Sequence, residues 1–408
     1  MDELLPTSSH RTARCSVALL VVVAASIAAL LMAGPAAAGA APRVTTAPNS
    51  TLSAVQCPSA KSCFAVGQYG TSVFEYNSLA EHWNGAAWST EASPTWATTG
   101  VGIFVNGLSC ASTAVCWAVG DYLTPEDVPI AFAMRWNGNV WQLGNPPDQF
   151  PGANSLASMY CLSSLYCLAA GSYVNNGGLT TPLVYDYSVT PKIGVRWLVL
   201  NIPTVAGANF TRLTAITCNG TTDCNAVGDD QNSKGVYVTF AEHWDGSSWK
   251  LASTANPTGS RDTYLTGLAC TRRTRCIAVG YYKDSALLYR TVVEKWNGAR
   301  WRLAPSANGG VSDFLNSIAC SGPAGCVAVG ERSSSKGGAA LAERWNGSRW
   351  YVSRTPSPGT TGQLNGVACT SPASCTAVGS DMDSAGVSVT LAEHWNGSAW
   401  SVHPTPNG

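Results

Sequence analysis

The chain has 408 residues and equal numbers of acidic and basic side chains, 24 of each, so its formal net charge is zero. The basic residues form no run or stripe along the sequence. The phosphate-binding footprint of a nucleic-acid-binding protein is therefore missing, and we expect no nucleic-acid partner.

The first predicted element is a secretory signal. A largely apolar stretch of seventeen residues, Val17 to Ala33, follows Arg11 and Arg14 and precedes an Ala-x-Ala site at residues 36–38. A charged flank, an apolar centre and small residues at the exit are typical of a signal peptide, here residues 1–38. The alternative is an uncleaved membrane anchor, although the stretch is slightly short for a span. We expect a secreted, extracellular protein, with membrane contact only if this segment is retained.

Residues 39–49 follow as a predicted linker. Its segment Val-Thr-Thr-Ala-Pro at 44–48 resembles Val-His-Pro-Thr-Pro at 402–406, near the other end of the chain. We therefore expect the linker to pack beside the last repeat described below and to help close the fold.

Seven copies of one pattern occupy residues 50–408. The first cysteines of successive copies are separated by 53, 51, 57, 52, 50 and 49 residues. A period near fifty with four short strands per copy predicts a β-propeller, because each copy forms one four-stranded blade. We predict an all-β fold, a seven-bladed β-propeller with four antiparallel strands per blade. The predicted blades lie near 50–100, 101–152, 153–206, 207–259, 260–309, 310–358 and 359–408.

The last copy shows the four predicted strands most clearly. Strand a is Leu364 to Cys369, strand b is Cys375 to Gly379, strand c runs from about Thr390 to Trp395, and strand d begins at Trp400. Strands a and b are small or apolar throughout, as expected when both faces of a sheet are covered. Asn-Gly between strands c and d is a strong hairpin signal.

Every copy also contains Cys-x5-Cys, which predicts one disulfide within each blade. An even number of cysteines in an exported chain indicates a disulfide framework, and cysteines facing each other across a hairpin suit an S–S bond. A metal is the alternative, but each blade supplies only two ligands, so we expect no metal and no cofactor. The predicted pairs are Cys57 with Cys63, Cys110 with Cys116, Cys161 with Cys167, Cys218 with Cys224, Cys270 with Cys276, Cys320 with Cys326 and Cys369 with Cys375.

Blade three departs from the pattern. Tyr187 stands where the first Trp is expected, and Ser188 to Arg196 replace the short turn before Trp197. An insertion at a hairpin tip is usually tolerated, so we assign it no function.

The turn between strands c and d resembles the Asp-box of sialidase-like propellers, Ser-x-Asp-x-Gly-x-x-Trp. Gly397 and Trp400 match its last two fixed positions, whereas Glu393 and Trp395 occupy its Ser and Asp positions. The period is similar to that of kelch-like propellers, although their Gly-Gly pair is absent. The resemblance implies propeller geometry over residues 50–408 and carries over no activity, since a fold does not define chemistry.

A polar residue that recurs from blade to blade has a structural role in the blade, whereas a functional site should depart from the repeat. We therefore consider repeated and single-copy polar residues separately. Five glutamates recur just before the strand-c Trp, and we expect them to bond locally or face solvent: Glu81, Glu242, Glu294, Glu343 and Glu393. The next position holds His, Arg or Lys, which predicts an exposed polar site and not a metal ligand; its occupants include His82, Arg135, His243, Lys295, Arg344 and His394.

Function is predicted at the mouth of the propeller. The b–c and d–a connections emerge on one face, and we expect the b–c loops to vary in length and composition, whereas the turns on the opposite face are short and uniform. Aromatic, carboxylate and guanidinium groups follow strand b or precede strand a there. The candidate ligand-binding residues are Tyr69, Asp121, Tyr122, Tyr173, Arg212, Asp229, Asp230, Tyr264, Tyr281, Tyr282, Glu331, Arg332 and Asp381, with Phe104 and Phe314 beside them.

These residues favour a monomeric binding module for an extracellular glycan or protein. Ordinary loop residues covering the blade ends are the alternative interpretation. A sialidase-like or other carbohydrate-active hydrolase or lyase is a second alternative, but two arginines make no triad and the spacing of carboxylates is unknown. A non-catalytic assembly scaffold is the third.

Overall fold

The computed structural model describes residues 49–407, apart from 71–74, 95–101, 145, 147–149, 151, 193 and 335–336. The predicted signal peptide and the segment 44–48 lie outside the described residues. The described residues form 28 β-strands and contain no helix capable of crossing a membrane. The strands form seven antiparallel four-stranded units in sequence order, so the predicted seven-bladed propeller is confirmed.

The strand bounds, in chain order, fall into seven blades of four. Blades one to three contain β1 Ser50–Ser59, β2 Ser62–Gly70, β3 Tyr76–Trp83, β4 Trp88–Thr90; β5 Ile103–Ser112, β6 Val115–Leu123, β7 Pro129–Trp136, β8 Trp141–Leu143; β9 Asn154–Ser163, β10 Tyr166–Val174, β11 Thr180–Thr190, β12 Gly194–Val199. Blades four to seven contain β13 Phe210–Gly220, β14 Asp223–Gln231, β15 Tyr237–Trp244, β16 Trp249–Leu251; β17 Asp262–Arg272, β18 Arg275–Lys283, β19 Tyr289–Trp296, β20 Trp301–Ala304; β21 Ser312–Cys320, β22 Cys326–Ser334, β23 Gly337–Trp345, β24 Trp350–Ser353; β25 Gln363–Ser371, β26 Ser374–Met382, β27 Ser388–Trp395, β28 Trp400–His403. In each blade these are strands a to d, and the seven a strands surround a central channel of about 320 Å³.

The repeated motif is one transverse row of residues across a blade. In blade seven, Cys369 pairs with Cys375, Cys375 with Trp395, and Trp395 with Trp400. Cross-strand aromatic pairs add packing energy beyond their buried area. The motif therefore clamps the end of each blade at which the a–b and c–d turns lie.

All seven predicted disulfides are present, each within one blade and each with its Cα atoms 3.9–4.0 Å apart. The bonded pairs are Cys57 with Cys63, Cys110 with Cys116, Cys161 with Cys167, Cys218 with Cys224, Cys270 with Cys276, Cys320 with Cys326 and Cys369 with Cys375. The second cysteine of each pair is the first or second residue of strand b and is buried in the core; these are Cys63, Cys116, Cys167, Cys224, Cys276, Cys326 and Cys375. Each disulfide thus joins the a–b hairpin to the packing between blades.

The hydrophobic core lies between the blades. Each of seven buried clusters draws side chains from two neighbouring blades; one, for example, joins Phe64 and Val66 of blade one to Ile103 and Phe132 of blade two. Both faces of the a and b strands are covered in this way, which explains their lack of polar alternation.

A β-bulge in every a strand links each blade to the next. The residue that directly follows a buried Leu or Val near the start of the strand has no cross-strand partner. In blade six this residue is Asn316, between Leu315 and Ser317. In five blades the side chain of the bulge residue donates to the backbone carbonyl of the next a strand at 2.6–3.1 Å; the donors are Asn106, Thr214, Thr266, Asn316 and Asn365. These bonds form a belt around the channel.

The same bulge explains the Gly that ends each Val-Gly or Ala-Gly pair. At Gly330 a Cβ atom would lie 2.0 Å from the carbonyl oxygen of Phe314, and the equivalent glycines of the other blades have the same conflict at 1.9–2.0 Å. No side chain fits there, because the bulge pushes a backbone carbonyl into that space.

The ring closes between blades seven and one through contacts of the same kind. Asn365 donates to the carbonyl of Leu52 at 3.0 Å, and Ser50 Oγ donates to the carbonyl of Asn407 at 3.0 Å. Both blades supply all four of their own strands, so no strand is exchanged across this seam.

The c–d turns are held by the Asn side chain and not only by backbone freedom. Asn396 Oδ1 accepts the N–H groups of Ser398 and Ala399 at 2.9 and 3.0 Å, and within this turn only Gly397 has a positive φ, +97°. In blade three the turn is replaced by a longer hairpin, in which Ser188 pairs with Arg196 and Thr190 with Gly194.

Candidate functional site

The antiparallel order places the a–b and c–d turns at one end of every blade and the b–c and d–a connections at the other. The expectation that the b–c loops vary in length is wrong for blades two to five and blade seven, although their sequences differ. Each of these b–c turns begins with Thr, Asn or Asp, whose side-chain oxygen accepts two N–H groups, as Asp284 does from Ala286 and Leu288. Five uniform turns are scaffolding, so any specificity at this end depends on the strand residues beside them.

Blades four to six bring together a continuous arc of aromatic rings at the mouth, which we call the aromatic sector. Successive ring centroids lie 4.6–5.8 Å apart, and every ring is half-buried; the members are Phe210, Tyr237, Tyr264, Tyr281, Tyr289 and Phe314. Tyr264 and Tyr281 are cross-strand partners, and Tyr237 and Tyr289 belong to c strands. Half-buried aromatic faces at this spacing can stack on flat ligand groups.

Arg212 lies within the aromatic sector and is paired with Asp229. Its Nε donates to Asp229 Oδ1 at 2.9 Å, and its guanidinium carbon lies 5.6 Å from the centre of the Phe210 ring. The Arg212 side chain is 44 % exposed, whereas the Asp229 side chain is fully buried. Burial raises the pKa of Asp229 above its ordinary value, and Arg212 opposes that rise. Asp229 therefore orients Arg212 from its buried side, and the exposed part of the guanidinium remains available to a ligand.

Burial also raises the pKa values of other groups around the mouth. It does so for the Tyr264 and Tyr281 hydroxyls and for the carboxyls of Asp121 and Glu331. The tyrosines consequently stay neutral and can act as hydrogen-bond donors at any ordinary pH.

The opposite side of the mouth is lined mainly by polar and small side chains. Blades seven, one and two border a groove of about 480 Å³, whose lining includes Thr51, Gln68, Gln363 and Ser380. Next to it Asp121 Oδ1 accepts from Ser155 Oγ at 2.6 Å and from Asn106 Nδ2 at 3.1 Å. Only Tyr76 and Phe104 form a described ring pair in this sector, at 5.8 Å.

The structure does not bring all the candidate residues into one site. Successive strand residues point to opposite faces of a blade. Four tyrosines, one residue further along strand b than the mouth position, pack against the buried clusters: Tyr69, Tyr122, Tyr173 and Tyr282. These four are blade-packing residues.

Three charged candidates bond to other residues of their own blade. Asp381 accepts the N–H of Gly359 at 2.6 Å, Asp230 accepts from Thr211 Oγ1 at 2.8 Å, and Arg332 donates to the buried Asp313 at 3.3 Å. Arg212 and Arg332 thus pair with different carboxylates in different blades. Among the described residues, no group of three or more His, Cys, Asp or Glu side chains could hold a metal ion.

The five repeated glutamates are fully buried, so the expectation that they could face solvent is wrong. Glu294 and Glu343 each accept an N–H from the preceding blade at 3.1 Å, from Ala255 and Ala307. The positions equivalent to Ala255 before Glu242, Glu393 and Glu81 hold Pro203, Pro356 and Pro406, which have no N–H to donate. In the described part of the chain the carboxyl oxygens of these three glutamates have no hydrogen-bond partner.

Burial raises the pKa of each of these carboxyls. The pKa rises to about 7 for Glu294 and Glu343, to about 8 for Glu81 and Glu393, and to about 9 for Glu242. The lowest values belong to the two glutamates that accept a backbone N–H, because that bond stabilises the carboxylate. Glu81, Glu393 and Glu242 are therefore largely protonated at neutral pH.

The His, Arg or Lys position after each glutamate is half-buried, in contrast to the expected exposed site. In blades five and six its side chain stacks on the strand-c Trp of the next blade: Lys295 Nζ lies 3.6 Å from the Trp345 ring centre and the Arg344 guanidinium 3.7 Å from that of Trp395. These are cation–π contacts between blades.

Three members of the aromatic sector, Phe210, Tyr237 and Tyr289, are missing from the sequence prediction. They start an a strand or a c strand, whereas the sequence criterion takes mainly residues that follow strand b. Aromatic residues at the first position of a strand are the signal that would have found them.

No family model and no curated protein matches the chain. Solved structures resemble it at low identity. YCF48 bound to D1 peptide shares 13 % identity, with 81 % of this chain and 91 % of that chain covered and a TM-score of 0.48. YCF48 from Cyanidioschyzon merolae shares 13 %, covering 83 % and 95 %, with a TM-score of 0.48. The SapL1 lectin in complex with alpha methyl fucoside shares 13 %, covering 89 % and 98 %, with a TM-score of 0.46. The propeller fold of this chain is established by its own strand pairing.

Proposed function

We propose that this protein is a secreted binding module, and that its ligand, an extracellular glycan or protein, lies across the aromatic sector at the mouth of the propeller. Export is supported by the pattern of residues 1–38 and by seven disulfides, which form and persist in oxidising compartments.

The single observation that carries the proposal is the unbroken arc of six half-buried rings around the exposed Arg212. Repeated residues explain the blades, but this arc occurs in blades four to six alone and has no counterpart of that length across the described mouth. Aromatic faces supply contact area at little entropic cost, and the guanidinium and phenol groups supply directional hydrogen bonds. Such a surface suits sugar rings or the side chains of an extended peptide.

The test is binding of the purified propeller to a glycan array and to secreted proteins from its source culture, with Tyr264→Ala/Tyr281→Ala as the variant. We expect the double variant to lose at least about tenfold in affinity, since each removed aromatic contact contributes on the order of 1 kcal/mol or more. Phe104→Ala is the matched control, because Phe104 occupies the same a-strand position in the polar sector and is also half-buried.

Equal loss in the control, or full binding by the double variant, would contradict the proposal. Turnover of a bound glycan that disappears in Asp121→Asn or Glu331→Gln would instead support a hydrolase. Partner capture that survives all mouth substitutions would support a scaffold acting through other surfaces.

A further inference from the structure

The end of the propeller opposite the mouth carries a concentrated positive charge in blades five and six. Six arginines are exposed there, on a–b turns, c–d turns and outer strands, and we call them the arginine patch: Arg272, Arg273, Arg275, Arg300, Arg302 and Arg349. Three members are close together in the sequence, Arg272, Arg273 and Arg275, and the turns and outer strands of blades five and six bring the other three to the same end.

The arginine patch is almost without counter-charges. Within the described residues, Arg273 is the only member with a carboxylate within 4 Å, Asp223 of blade four at 3.7 Å, and its side chain remains 64 % exposed. All described acidic residues of blades five and six lie at the mouth end, apart from the buried Glu294 and Glu343. The charge is therefore not consumed by ion pairs within the protein.

Blade five also carries like charges directly opposite each other. Arg272 pairs in register with Arg275 across the a–b turn, and Lys295 pairs with Arg302 across strands c and d. Like charges at such positions destabilise a sheet. An arrangement that costs stability at two neighbouring places in one blade needs a reason other than folding.

The a–b turn of blade five departs from the turn used in four other blades. In blades one, two, three and seven a serine opens the turn and its Oγ accepts an N–H two residues on; these serines are Ser59, Ser112, Ser163 and Ser371. Arg272 stands at this position in blade five and cannot accept such a bond. Blades four and six have Gly220 and Gly322 at this position, so Arg272 is the one charged residue there among the seven blades.

We propose that the arginine patch binds an anionic polysaccharide, a linear chain of sugars that bears carboxylate or sulfate groups. The patch extends from the inner a–b turn of blade five through its c–d turn to the outer strand and on to blade six, which fits a polymer with repeated charges better than one isolated anion. Arginine matches planar oxyanions with two parallel hydrogen bonds. An exported protein meets such polymers outside the cell.

The variant Arg272→Gln/Arg273→Gln/Arg275→Gln tests this proposal with the full secreted propeller. The probes are heparin and polygalacturonate, with dextran as the neutral polymer, at about 20 and about 150 mM salt. We expect the wild-type protein to bind both anionic polymers more tightly at low salt, and the variant to bind at least about tenfold more weakly with a shallower salt dependence. The matched control Lys61→Gln/Lys192→Gln/Lys234→Gln removes three exposed cations from other blades and should bind as the wild type does.

The Arg variant should unfold at the same temperature as the wild type or higher, because it relieves the repulsion between residues 272 and 275. Unchanged binding by this variant, equal loss in the lysine control, binding to dextran, or binding to phosphatidylglycerol vesicles or duplex DNA in place of the polysaccharides would each overturn the proposal. The Tyr264→Ala/Tyr281→Ala protein should keep its polyanion binding, so the outcome is independent of the function proposed for the mouth.

Discussion

At the scale of single residues, the most consequential side chains are the buried glutamates between blades. They are repeated, so they serve the blades, yet three of them lack any hydrogen-bond partner in the described part of the chain. A buried carboxyl without a partner is tolerable when it is neutral and costly when it is ionised. These residues therefore connect the stability of the propeller to pH.

Glu242 gives the sharpest prediction of this connection. Its pKa is raised from an ordinary 4.5 to about 9 in the folded protein, so between these values the folded state holds a proton that the unfolded state has released. The free energy of unfolding should then be highest in mild acid and fall as the pH rises from about 5 to about 9. Chemical denaturation of the wild type and of Glu242→Gln across this range measures the effect.

We expect Glu242→Gln to lose less stability with rising pH and to exceed the wild type near pH 9. Glu126→Gln, at an exposed b–c turn, is the control and should follow the wild-type profile. A Glu242→Gln protein whose profile matches that of the wild type would show that this carboxyl is not the source.

At the scale of the strand, the β-bulge in each a strand accounts for two features of the sequence together. It leaves one polar residue free to bond to the next blade, and it places a carbonyl where a Cβ of the facing strand-b residue would be. The Gly within strand b is thus required by the backbone of the neighbouring strand.

Gly330→Ala should consequently destabilise the protein by about 2–4 kcal/mol, because the new methyl group meets backbone and not a movable side chain. Gly322→Ala in the same blade has open space around the added atom and should change stability by less than about 0.5 kcal/mol. The comparison of their urea midpoints is the measurement, and similar values for the two variants would contradict the role assigned to the bulge.

The strands also show how much of the fold and of the candidate site the sequence predicts. Cysteines and tryptophans repeat at fixed spacing because one row across each blade needs them, so blades and disulfides are predictable. The uniform b–c turns are hidden, since Thr124, Asn175 and Asp284 perform one capping role with three residue types. The aromatic sector and the arginine patch combine residues from different blades. They could not be predicted in full, because the sequence does not show which residues of neighbouring blades lie side by side.

At the scale of the whole molecule, the seam between blades seven and one is built like four of the other seams. The belt bond from Asn365 to Leu52 repeats the bond from Asn316 to Leu364, both at 3.0 Å, and the seam has its own buried cluster. The closing seam should therefore be about as stable as the seam between blades six and seven.

Asn365→Ala and Asn316→Ala test this equality. Asn316→Ala removes the bond to Leu364, and Asn365→Ala removes the bond to Leu52 together with a longer one to Thr51 Oγ1 at 3.3 Å. Each variant should reduce the free energy of unfolding by about 1 kcal/mol. Thermal unfolding of the two variants should give the same shift within error. A much larger loss for Asn365→Ala would identify the closing seam as the weak point of the ring.

The direct bond between Ser50 and Asn407 has a consequence for how such a molecule can be rearranged. Each blade is formed by one continuous stretch of the chain, and blades seven and one contact each other as other neighbouring blades do. The ring of blades therefore has no preferred first blade. A circular permutant opened at any other boundary would present the same seven interfaces, and only the short connecting peptide would change place.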